Sequence, residues 1–144
     1  MATYDDLAKQ LNEAAQRKAD YARELLTVAE EFTREVERVW QSGGKIWFGR
    51  LVDDTCVPGQ ISNLDDQQIA EFVVVVQFEV GLIPVTEKFP ISIRKTRTSV
   101  QMSADPGNVH DVNVNQPASF HSVINDLQSV AYRWVRGEAQ KSRL

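Results

Sequence analysis

The chain has 144 residues, 42% hydrophobic and 25% charged, with a net charge of −4. That balance describes a globular chain, read as a single domain over 1–144 with enough apolar surface for one core. It disfavours general nucleic-acid binding, because phosphate contacts need clustered Lys and Arg, and no run approaches the ~18 apolar residues that would cross a membrane.

From Thr3 to Gln41 there is no Gly or Pro, and apolar residues recur every three or four positions. This predicts a long helix over 1–42. Thr3 and Asp6 form a capping-box-like start, Asp5 and Asp6 suit the positive end of the helix dipole, and Gly43-Gly44 offers a stop. A seven-residue frame places Tyr4, Leu11, Lys18, Leu25, Phe32 and Val39 on one line, beside Leu7, Ala14, Tyr21, Val28 and Glu35. A second stripe, Ala22, Leu26, Ala29, Val36 and Trp40, widens the apolar face toward the C-terminal end. At 1.5 Å per residue the helix is roughly 60 Å long. A body built from the remaining chain is about 26 Å across. Part of the seam therefore needs cover from another chain or a long partner helix. The first half is expected to contact a partner, and the second half to be buried against its own domain and another helix. The expected interface is Leu7, Leu11, Tyr21, Leu25, Val28 and Phe32. The alternative is a helix hinged near Lys18 whose two halves pack on one body.

Residues 45–115 read as a five-stranded, mainly antiparallel meander. Lys45–Asp53 alternates, and Glu71–Val80 (EFVVVVQFEV) puts Phe72, Val74, Val76 and Phe78 on one face. Val73 and Val75 on its other face predict cover from both sides. Glu87–Lys95 points Phe89, Ile91 and Ile93 inward, and Thr98–Ser103 and Val109–Asn115 follow around an ADPGN turn. Between the first two strands, DDTCVPGQ reads as a loop and Asn63 as the cap of a turn or two of helix. Pro117 opens a second helix over 117–137, whose stripe includes Phe120, Val123, Ile124, Leu127 and Trp134. Gly137 is its expected end, with a polar tail over 138–144. Arg133 and Arg136 are candidates to meet Glu30, Glu31, Glu35 and Glu37. The fold class is α+β, with both helices on one face of the sheet or one on each.

Chemistry is sparse. A single cysteine, Cys56, permits no internal disulfide, and the acidic, polar N-terminus does not read as a secretory signal. Together these point to a cytoplasmic setting. Cys56, His110, His121 and the aspartates lack metal-ligand spacing, so no metal or other cofactor is expected. Asp53-Asp54 and Asp65-Asp66 suit solvated turns better than a shielded acid–base pair, and an enzyme built on Asp54, Asp111 and His110 ranks last. The one dense basic stretch, Arg94–Arg97, together with Arg50 beside Trp47, is a candidate anion- or nucleotide-binding surface; the same charges also serve to protect a sheet edge. The favoured reading is a non-enzymatic homodimer that presents its sheet or helix pair to another protein, as an adaptor, a chaperone-like escort or an inhibitor. A small anionic-ligand binder is the alternative.

Overall fold

The computed structural model describes residues 3–141. The capping box forms as the sequence requires: the Thr3 hydroxyl accepts from the Asp6 backbone N–H at 3.3 Å, and Asp6 accepts from Thr3 N at 3.2 Å. From there helix α1 runs unbroken over Tyr4–Trp40, with no hinge at Lys18. Its left-handed cap falls two residues before the glycines. Gln41 takes the left-handed conformation (φ 53°), and its N–H bonds to the Glu37 carbonyl. Gly43 and Gly44 follow with positive φ and serve the turn out of the helix. The Glu37 carboxylate braces that turn by accepting from Ser42 Oγ and Gly44 N.

The sheet has six strands, one more than expected: β1 (Ile46–Val52), β2 (Thr55–Pro58), β3 (Ile69–Val80), β4 (Ile83–Lys95), β5 (Val100–Asp105) and β6 (Asn108–Val112). All pairs are antiparallel, and the spatial order is β2-β1-β3-β4-β5-β6. The extra strand is β2, inside the segment read as a loop. Asp53 (φ 50°) and Asp54 (φ 65°) both sit at positive φ between the paired Val52 and Thr55, so they make a two-residue hairpin turn. The expected helix at Asn63 does not form. Asp65 instead accepts from Gln67 N and Ile69 N, both at 2.9 Å, turning the chain directly into β3. The sequence GLIP shrinks to a two-residue turn, Gly81-Leu82, which frees Ile83 and Pro84 to extend β4. Pro106 and Gly107 (φ 91°) close the β5–β6 hairpin as a type II turn wants.

Pro117–Phe120 forms a short 3₁₀ turn that leads into α2 (His121–Lys141). α2 passes through Gly137, so the expected tail is helical to Lys141, and the rest of it lies outside the described residues. Both helices pack on the same face of the sheet. Leu25, Val28, Ala29, Phe32 and Val36 of α1 meet Val123, Ile124, Leu127 and Ala131 of α2 over the inward side chains of β1, β3, β4 and β5. Phe32 anchors this core, with its ring edge-on to Phe72 at 6.3 Å and to Phe120 at 5.7 Å. Arg133 of α2 pairs with Asp105 at 3.0 Å, not with the acidic stretch of α1.

The opposite sheet face carries no helix, yet Val73 and Val75 are buried there. Lys88, on that face of β4, donates from Nζ to the Asp54 carbonyl at 2.8 Å. The bond joins β4 to the β1–β2 turn across β3, and the long aliphatic stem of the lysine travels with it. Gly49 makes the hairpin's close approach possible: a Cβ there would lie 2.4 Å from Cys56 Sγ and 2.5 Å from the Val57 carbonyl oxygen.

Candidate functional site

α1 changes character along its length. Leu25 and Phe32 are 0% exposed, whereas Tyr4 is 82%, Leu7 57% and Leu11 71% exposed. Between Tyr4 and Asp20 every residue except Ala8 is exposed. The change falls at Tyr21. Its hydroxyl lies 3.1 Å from the Gln68 carbonyl oxygen and 3.0 Å from that of Lys95, and accepts from Lys95 N–H at 2.6 Å. Lys95 also reaches α1 through a salt bridge to Glu24 at 2.6 Å. Beyond these ties the helix leaves the sheet. Four members of the expected interface therefore change role. Leu25, Val28 and Phe32 are covered by the chain's own sheet, and Tyr21 is the latch that binds helix to sheet. Leu7 and Leu11 remain exposed.

At the base of the free half lies a groove of about 740 Å³ between α1 and residues 59–64. Ala15, Ala19, Ala22 and Leu26 form one wall, and Ile61 and Leu64 stand on the other. Its charged lining is Lys18, Arg23 and Arg50, all basic. Sequence reasoning missed this groove because Ile61 and Leu64 sit in an otherwise polar stretch. The signal available was the recurrence of alanine every three or four residues on one side of the helix.

The expected anion-binding residues do not converge. Arg50 shares the helix-facing side of β1 with Ile46 and Phe48, whereas Trp47 points to the other side. Arg94, on the helix-free face of β4, donates to Gln101 Oε1 at 3.3 Å. Arg97 lies in the β4–β5 turn, lining a hollow with Glu24, Lys95 and Asp111. One intervening strand, β3, and opposite faces of the sheet separate Arg50 from Arg94.

The residues weighed for catalysis are scattered too. Asp54 sits at the β2 edge of the sheet, and Asp111 and His110 lie on β6 at the other edge. Asp111 accepts from Ser99 Oγ at 3.0 Å, while His110, on the opposite face, meets Asp126 of α2 at 2.7 Å. Burial pushes the Cys56 thiol up, against a smaller opposing pull from Lys88. Among the described residues no three of His, Cys, Asp and Glu gather as a metal site needs, and no helix is long and apolar enough to cross a membrane.

The most concentrated electrostatic feature joins the two helices. Glu35 is buried, accepts from Arg38 Nε at 3.1 Å, and lies 3.1 Å from His121 Nε2. The Arg38 hydrogen bonds hold the Glu35 carboxyl below the usual carboxylate range; burial opposes them and His121 adds to them. This ties α1 to the start of α2. No protein-family model, curated protein or solved structure matches this chain.

Proposed function

We propose that this chain is a non-enzymatic protein-interaction protein that forms a homodimer through the first half of α1. The observation that carries the reading is the exposed run Tyr4, Leu7 and Leu11 on a helix that leaves the sheet after Tyr21. An isolated helix of that length is marginal in water, and its apolar side chains gain by being covered. A second exposed apolar area supports the adaptor part of the reading. Val39, Tyr132 and Val135 surround a hollow of about 500 Å³ between the ends of the two helices, on the same protomer but away from the free half of α1. In this reading the first surface takes a second copy and the second surface takes another protein.

Light scattering on the full chain tests the homodimer, with a mass of twice 16.3 kDa expected. The double variant Leu7→Asp/Leu11→Asp is expected to run as a folded monomer, because neither side chain belongs to the core. A wild-type chain that stays monomeric at high micromolar concentration overturns the reading.

A further inference from the structure

We propose that the two copies pair antiparallel, the Tyr4–Leu11 end of each α1 seating in the alanine-lined groove at the base of the other. This presupposes the homodimer proposed above and adds its geometry. Tyr4, Ala8, Leu11, Ala15, Ala19 and Ala22 follow one another at steps of three and four, so they form one continuous stripe on the helix. The stripe is graded in bulk. Tyr4 and Leu11 stand at the free end, and Ala15, Ala19 and Ala22 at the base, where they line the groove. Charge is graded along the same axis. Residues 4–13 carry Asp5, Asp6, Lys9 and Glu13, net −2; residues 14–23 carry Arg17, Lys18, Asp20 and Arg23, net +2.

Only one orientation satisfies both gradients. A parallel pair sets large side chains against large, leaves a void between the alanines, and brings acid to acid. An antiparallel pair centred near Glu13 sets Leu11 against Ala15 and Tyr4 against Ala22. It also lays Leu7 along the stem of Lys18 and brings Asp5 beside Arg23. The helix dipoles then oppose each other, and the basic groove lining receives the acidic helix start. Residues 59–64 give the entering helix a second wall, so it touches more of its neighbour than α1 alone. By two-fold symmetry every contact is made twice.

Single-cysteine variants Tyr4→Cys and Ala22→Cys, each in a Cys56→Ser background, are mixed in equal amounts and oxidised, and the disulfide dimers are weighed by mass spectrometry. A mixed 4–22 disulfide, formed well above its yield in denaturant, is expected. Predominance of 4–4 and 22–22 products overturns the antiparallel geometry while leaving the homodimer standing. If no cross-link forms above the denatured level, light scattering separates two failures: a monomer removes the homodimer itself, and a dimer places its interface elsewhere. A charge swap supplies a second readout. Asp5→Arg is expected to weaken association by about tenfold, and Arg23→Asp in the same chain to restore most of that loss. Both residues are exposed, so circular dichroism should show both variants folded, and failure of the second change to rescue the first overturns the pairing.

Discussion

The two halves of α1 share one heptad frame but meet different surroundings. In residues 21–40 the seam side chains Leu25, Val28 and Phe32 are covered by β1, β3, β4 and α2. In residues 4–20 the same frame continues through Leu7 and Leu11 and meets no sheet. Hydrophobic periodicity reports that a face wants cover; it carries no record of which surface supplies it. The difference comes from length: α1 follows β3 from Gln68, at Tyr21, toward Phe78, near Trp40, and its 37 residues, about 55 Å, outrun the 12 residues of β3, about 40 Å.

Four measurements break or sharpen the contrast. The largest effect is expected from Phe32→Ala, which removes the ring between Phe72 and Phe120 and should cost about 3–5 kcal/mol in urea unfolding. A loss below about 1 kcal/mol would show that the buried half of α1 is not the core anchor described. Next comes Tyr21→Phe at the boundary. It deletes the hydroxyl that serves Gln68 and Lys95, and should cost about 1–2 kcal/mol while accelerating amide exchange in residues 4–24. Unchanged exchange there would place the boundary elsewhere.

Glu35 gives the pH dependence. Its folded pKa is depressed, chiefly by Arg38, so its contribution is fully present above the unfolded value near 4.5 and is lost as pH falls through the lower folded value. Glu35→Gln should therefore weaken the protein at neutral pH and flatten the acid limb of the stability curve below about pH 4.5; an unaltered limb would assign that limb to other carboxylates. The smallest effect belongs to the free half. Thr3→Ala removes the cap, worth about 1 kcal/mol to the local helix. Exchange of the first helical turns should quicken while the global unfolding midpoint stays put, and a shifted midpoint would mean that this half folds together with the core.

Much of the fold was legible. The Thr3–Asp6 cap, the uninterrupted helix, the inward faces of β3 and β4, the ADPGN turn and the α2 stripe are local patterns that local physics enforces. What escaped the sequence reading depended on neighbours. β2 was hidden because the Asp53-Asp54 turn reads as a polar loop until both residues adopt positive φ. The helix expected at Asn63 lost to the Asp65 turn, which feeds β3 directly. The arginines considered together as an anion site part company because β1 and β4 present successive side chains to opposite faces. The groove was invisible because its far wall, Ile61 and Leu64, is separated from Ala15 and Ala19 by about forty residues of chain.

By itself, then, the sequence determined which segments become helix and strand and which side of each is apolar, since capping, periodicity and turn chemistry act over a few residues. Only the tertiary structure decided that both helices share one sheet face, that the outward Val73 and Val75 are covered without a second helical layer, and that the change along α1 falls at Tyr21. Those outcomes depend on how far a rigid helix extends past the strands it lies along, and on which distant residues arrive at its side.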